Sequence, residues 1–348
     1  MQRLDNLQGL RAIAFVLIFL SHCGIGDLAR WAVTLFFVLS GFLMVYNYYS
    51  RDNIACSIKQ NILFSYKKIN KLFPLHLIML LPVLALTLYS ALKGGTLGFD
   101  FIINQSLVLL SNVFLVQSWI PVRAFYFGYN GVAWFLSVCA LLYFVFPFVL
   151  KNLKKKASRK KAIFVMTGCF ALQCVFSVFV NVVNCEWITA HKDYLVYIFP
   201  LYRVLDFVIG CNLGYLFLNC NHSKDDSKVK FTVFELLAIL TSIVTSAALG
   251  FAGWGDVLYS AKDLPGIVLM IFVFAFNRGF VSKLLSVNMF VWIGNLSAYT
   301  FLIHQVVINL LQIVAGNKYI VALVAFVITL VGAVVYERVD KAIRKRRV

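Results

Sequence analysis

The sequence predicts an all-α fold: a polytopic integral membrane helical bundle of about ten transmembrane helices. One further segment, 101–119, is expected to be re-entrant or to lie at the outer surface. Three observations carry this. The 348 residues are 61% hydrophobic and only 13% charged, against roughly a quarter charged in a soluble domain. Mean hydropathy is +0.86. The apolar residues fall in blocks of the length a helix needs to cross a bilayer core, about 20 residues. Alternating period-2 segments, the mark of a membrane barrel, are absent. The chain reads as a single membrane domain over 1–348, with no soluble domain.

The blocks lie near 10–26, 32–49, 73–92, 131–150, 162–183, 195–218, 232–252, 264–277, 288–314 and 319–337. The first follows a basic start, as a signal peptide does. "LSHC" comes near a lipoprotein cleavage site, but a histidine before the cysteine fits poorly and a second apolar block follows at once. It is read as the first membrane helix. The stretch 101–119 is apolar but broken by Asn104, Gln105, Ser106, Asn112 and Gln117.

Loop charge orients the spans, because Lys and Arg gather on the cytoplasmic side. With ten spans and an inside N-terminus, twenty-five basic residues lie inside and six outside, with Arg203 inside a span. A full crossing at 101–119 would put "KNLKKKASRKK" (151–161) and "SYKKINKLFP" on opposite faces. The expectation is a multi-pass protein of the cytoplasmic (inner or plasma) membrane, with both termini cytoplasmic. The net charge of +18 therefore reads as cytoplasmic loop charge, not as a nucleic-acid surface. Eight cysteines without a CxxC pair read as small buried hydrophobes. Neither a metal site nor a disulfide framework is expected, and no Gly-rich phosphate loop calls for a bound cofactor.

Ionisable residues inside spans are costly and usually face a cavity or a partner. Arg11 and His22 stand eleven residues apart in "GLRAIAFVLIFLSHCG" (9–24). At roughly 100° and 1.5 Å per residue they share one helix face, separated by about 16 Å. Phe15, Ile18 and Phe19 lie on or near that face, which is expected to line a polar interior. The plainer alternative makes Arg11 a positive-inside anchor and His22 an interfacial residue. Arg203 and Asp206, at i and i+3, share a face of their span, either as a functional site or as a neutralised structural pair. His304 assists acid–base chemistry or hydrogen-bonds across the bundle. Trp134 is an aromatic-belt residue at an outer boundary or a sugar platform. His76, beside Pro74, reads as interfacial; His191 and His222 sit in loops.

The run "LQGLRAIAFVLIFLSH … TLFFVLSGFLMVY" resembles the start of the membrane acyltransferase-3 family, "LDGLRAIA", a helical His, then "DLFFVLSGFL". Arg11 and His22 match its Arg-x10-His spacing; Phe36, Phe37, Ser40, Gly41 and Phe42 match its second motif. "SYKKINKLFPLHL" (65–77) resembles its basic inner loop. "GVAWFLSVCALLYFVFPFVL" (131–150) resembles "WSLSVEWQFYLIFPLL". "YRVLDFVIGCNLGYLF" (202–217) resembles "RLPEFLLGILLGYLF", and "LSAYTFLIHQVVI" (296–308) resembles "SYSIYLIHQPVL". Five motifs in order cover nearly the whole chain. Gln8, Thr34 and Cys139 depart from it, standing where members carry an acid; at Cys139 the usual residue is glutamate.

The resemblance implies an integral membrane O-acyltransferase. Such enzymes move acyl, usually acetyl, from cytoplasmic acyl-CoA to a hydroxyl of a cell-surface polysaccharide or lipid-linked sugar. Acyl-CoA is then a cosubstrate, not a bound cofactor. Partners would be the glycan acceptor, the bilayer and envelope-biosynthesis proteins. His22 becomes the candidate general base. Arg11 would bind CoA phosphate or stabilise the thioester oxyanion. Lys67, Lys68 and Lys71 would hold CoA phosphates, or serve only as positive-inside charge and lipid contacts. Trp134, Ser137, Arg203, Asp206, His304, Ser40 and Phe37 are candidates for the substrate site. A polytopic exporter or flippase is the alternative, since intramembrane Arg, Asp and His suit it too; Cys139 leaves a third, a degenerate member supporting a partner complex.

Overall fold

The computed structural model describes residues 3–51, 57–220 and 227–345. All regular structure among them is helical. In chain order the α-helices are α1 (Asp5–His22), α2 (Ala29–Tyr48), α3 (Ile58–Ile69), α4 (Phe73–Lys93), α5 (Phe99–Val113), α6 (Arg123–Tyr126), α7 (Trp134–Lys156) and α8 (Arg159–Val182). They continue with α9 (Glu186–Asp193), α10 (Pro200–Leu218), α11 (Lys228–Phe251), α12 (Gly255–Leu258), α13 (Leu264–Ala275), α14 (Phe280–Leu285), α15 (Asn288–Val314) and α16 (Lys318–Lys345).

Eight helical segments among the described residues are long and apolar enough to cross a membrane: α2, α4, α7, α8, α10 with its lead-in from Glu186, α11, α15 and α16. Two of the ten expected spans are not among them. Around 10–26, α1 has 18 residues, and its polar opening through Asp5, Asn6 and Gln8, with Arg11 beyond, lowers its hydropathy. Around 264–277, α13 has only 12 residues, about 18 Å at 1.5 Å per residue, short of the roughly 30 Å hydrocarbon core. The short α14 follows it, its first turn held by Glu235 of α11. That carboxylate accepts the N–H groups of Gly279 and Val281, both at 3.0 Å, and the Ser282 hydroxyl at 2.5 Å.

At the centre α2 lies against α10. A Cβ on Gly210 would fall on the Val38 carbonyl, and one on Gly41 on the Phe207 carbonyl. The glycines let the two backbones touch, which is how membrane helices gain packing without a hydrophobic drive between them. α1 and α15 pack side by side in the same direction, again with backbone contact, Gly294 against Gln8. The peripheral α8, α11 and α16 leave large apolar side chains exposed, among them Phe164, Val175, Ile243, Leu323 and Val331. Faces of that kind suit lipid, not water.

The stretch 101–119 forms α5, 15 residues and about 22 Å, after which Leu115 turns the chain at φ 54°. Unwound backbone at this depth must be satisfied internally. Ser118 donates to Ser137 Oγ at 2.6 Å, Ser137 donates to the Leu115 carbonyl at 2.5 Å, and Gln117 donates to the Ala133 carbonyl at 3.2 Å. His76 is fully buried, with Nε2 at 3.0 Å from the Asn112 carbonyl.

Candidate functional site

α1 presents Arg11 and His22 on one face, about 16 Å apart, and α15 runs beside it with Ser297, Phe301 and His304. His22 Nδ1 lies 2.8 Å from His304 Nε2. The two rings are nearly parallel, at 13°, with centroids 5.1 Å apart. His304 is fully buried, and its Nδ1 sits 2.7 Å from the Phe301 carbonyl and 3.2 Å from that of Thr300. The rings of Phe15, Phe19 and Phe301 surround it.

The other end of the α1 face opens onto a cavity of about 70 Å³, lined among others by Arg11, Ser40, Leu72, Cys139, Tyr143 and Ser297. Among the described residues Arg11 makes no ion pair there. Its Nε and the Ser297 Oγ are buried without a hydrogen-bond partner, and the guanidinium carbon stands 5.9 Å from the Phe36 ring centroid. A half-buried cation and an orphan hydroxyl on one small cavity are suited to an anion or a strongly polarised oxygen. Cys139, where the family motif carries glutamate, is a wall of this same cavity, so the acid that would neutralise Arg11 is missing.

Between the two ends the expected polar interior is not found. Phe15, Ile18 and Phe19 are fully buried, with Phe15 and Phe19 against Phe326. Phe36, Phe135 and Phe301 extend this apolar layer over the cavity. The face carries polar groups only at its ends because packed apolar side chains fill its middle.

The other candidates divide. Ser40 shares the Arg11 cavity. Lys71 stands before cavity-lining Leu72, its Nζ 5.1 Å from the Tyr299 ring centroid. Lys68 lies 4.6 Å from that of Tyr48, and Lys67 is exposed on α3. Trp134 is only 3% exposed. It packs on Tyr197 and Phe37, so its ring is enclosed at the start of α7 and offers no open sugar platform. Ser137 is committed to the turn at Leu115. Arg203 and Asp206 pair at 2.8 Å, both fully buried. Arg203 Nε also donates to the Tyr197 carbonyl at 2.7 Å, and Gln173 donates to Asp206 at 2.8 Å. Phe37 lies under this guanidinium, 5.5 Å from ring centroid to carbon, so both belong to one enclosed layer away from the cavity. Thr34, at the motif's acidic position, meets Arg203 Nη1 at 3.4 Å. His191 stacks on Trp187. His222 lies outside the described residues.

Sequence reasoning missed Tyr143, Ser297 and Glu235. Ser297 lies three residues before Thr300 and seven before His304, on the α15 stripe that faces α1, and that spacing could have found it. A single carboxylate within an apolar block was the available signal for Glu235.

With this geometry in hand, the profile of a family described as "Acyltransferase domain" matches residues 4–338. The chain belongs to the acyltransferase-3 family. It is 27% identical over 178 residues to a protein named Acyltransferase MdmB, from Streptomyces mycarofaciens. The match covers 45% of this chain and 42% of that protein, so the acyltransferase-3 chain spans less than half the length of this curated relative. No solved structure matches it.

Proposed function

We propose that this protein is an integral membrane O-acyltransferase that moves an acyl group, acetyl by default, from acyl-CoA to a hydroxyl of a cell-surface polysaccharide or lipid-linked sugar. The observation that carries the reading is the pairing of His22 with His304 at one end of a helix whose other end holds an unpaired Arg11. The family gives the class of reaction, and the residues supply the parts.

In this reading His22 takes the proton of the acceptor hydroxyl as its oxygen attacks the thioester carbonyl. The carbon–sulfur bond breaks, and the proton passes to the departing CoA thiolate. An ester and free CoA result. Arg11 is about 16 Å from His22 along α1, too far for both to touch one reacting atom. That separation favours Arg11 as a grip on a phosphate of the acyl-CoA over a role at the oxyanion, with Lys71, Lys68 and Lys67 adding positive charge at the same end. The basic end then faces the cytoplasm, where acyl-CoA is found, with the N- and C-termini on that side. The layer of Phe15, Ile18 and Phe19 must part for a thin acyl-pantetheine arm to reach His22 from the Arg11 end, and it leaves still less room for a sugar, which speaks against the exporter alternative.

The test uses membranes containing wild-type protein or the His22→Ala variant, supplied with acetyl-labelled CoA. Free thiol and labelled glycan or lipid are followed. Release by wild type and none by the variant is expected. Equal release by both would remove His22 from the mechanism. No release from either, with succinyl- and longer acyl-CoA also inert, would return the exporter reading.

A further inference from the structure

We propose that His304 is a positioning residue: it fixes His22 as the tautomer with hydrogen on Nδ1 and so leaves Nε2 of His22 as the base atom. The inference deepens the acyltransferase reading and rests on it for its catalytic meaning, though the tautomer itself does not.

Hydrogen accounting carries it. His304 Nδ1 faces two carbonyl oxygens, Phe301 at 2.7 Å and Thr300 at 3.2 Å. Carbonyl oxygens only accept, so Nδ1 must hold a hydrogen. A neutral imidazole holds one hydrogen, which leaves His304 Nε2 with a lone pair. That lone pair is 2.8 Å from His22 Nδ1, so His22 must donate from Nδ1. Its remaining nitrogen, Nε2, is then bare. Neutrality of His304 follows from its surroundings: Phe15, Phe19 and Phe301 enclose it and offer an imidazolium no counter-charge.

The geometry comes from the helix. Residues 300 and 301 are the i−4 and i−3 positions to 304, so the carbonyls that orient the ring are those α15 places beneath it. A free imidazole in water exchanges its hydrogen between both nitrogens; here the exchange is blocked at both rings. When His22 takes a proton on Nε2, its Nδ1–H bond to His304 becomes charge-assisted and strengthens. His304 thus holds the ring of the base and steadies its cation without touching substrate. A buried Asp does this in serine hydrolases; here a neutral ring backed by a carbonyl replaces it.

The closing experiment labels the histidines with 15N and 13C and reads the tautomer of His22 by NMR, with His22→Ala to assign the signals. Wild type should show Nδ1 protonated and Nε2 bare. In His304→Phe a population with hydrogen on Nε2 should appear. Kinetically, His304→Phe should lower kcat by about 10²-fold or more with little change in KM for acetyl-CoA. His304→Gln, whose Oε1 can accept from Nδ1–H, should recover at least about tenfold of that loss. Hydrogen on Nε2 in wild type overturns the proposal, and so does a His304→Phe enzyme with wild-type kcat. If His304→Phe does not fold, the wild-type spectrum still decides. If His22→Ala transfers acetyl normally, the functional reading fails separately, because the tautomer is measured without turnover.

Discussion

Asp206 reaches Arg203 one turn away on α10, and both are fully buried. Gln173, Tyr197 and Ser260 satisfy most of what remains of the two groups. Breaking such a pair leaves a lone buried charge, costing about 3–5 kcal/mol, whereas replacing both partners with apolar residues costs far less. Arg203→Met and Asp206→Leu should each lower the thermal midpoint in detergent sharply, and the double variant should recover most of the loss. Additive losses in the double variant would reject the pair as the source of stability.

Arg11 gives a prediction of a different kind. Arg11→Gln should raise KM for acetyl-CoA by roughly 10- to 100-fold, the worth of a charged hydrogen bond at about 1.5–3 kcal/mol. The change in kcat should be smaller, because the cavity is remote from His22. Cys139→Glu should act in the same direction, by supplying the carboxylate the cavity lacks. A fall in kcat at unchanged KM in either variant would move Arg11 to the reacting atoms.

Glu235 is expected to matter for folding alone. Glu235→Ala strips acceptors from the N–H groups of Gly279 and Val281 and from the Ser282 hydroxyl. Each buried group left unpaired costs about 1–3 kcal/mol. The unfolding midpoint should drop well below wild type, with Glu235→Gln in between. An Ala variant as stable as wild type would mean that water or lipid headgroups reach these amides.

The α2–α10 contact predicts intolerance of the smallest addition. Gly210→Ala puts a methyl on the Val38 carbonyl, so the helices must part. Overpacking of this kind costs about 1–3 kcal/mol. Yield of folded protein after detergent extraction should fall, while Gly168→Ala, where a Cβ meets open space, should behave as wild type.

Much of this molecule was legible in the chain. Hydropathy marks helices that face lipid, so α4, α8, α11 and α16 stand where their apolar blocks lie. The 3.6-residue turn put Arg11 and His22 on one face without any structure. It could not say what fills the space between them, since Phe15 and Phe19 read the same whether they line a channel or pack on Phe326. Nor could it bring His304 to His22, because that meeting depends on how α1 crosses α15, 282 residues away. Trp134 and His76 show the same limit. Each has the sequence position of an interfacial residue, and each is buried by a neighbour that local pattern does not reveal. The apolar run at 264–277 outlasts the 12-residue helix α13 because it continues into the turn before α14.

The aromatic layer between Arg11 and His22 has a consequence for the cell as well as for chemistry. A protein with ionisable groups at both ends of one helix is a natural leak for protons and ions. Phe15, Ile18 and Phe19 make the middle of that helix an insulator. Ions and water thus find no continuous polar route along this helix face.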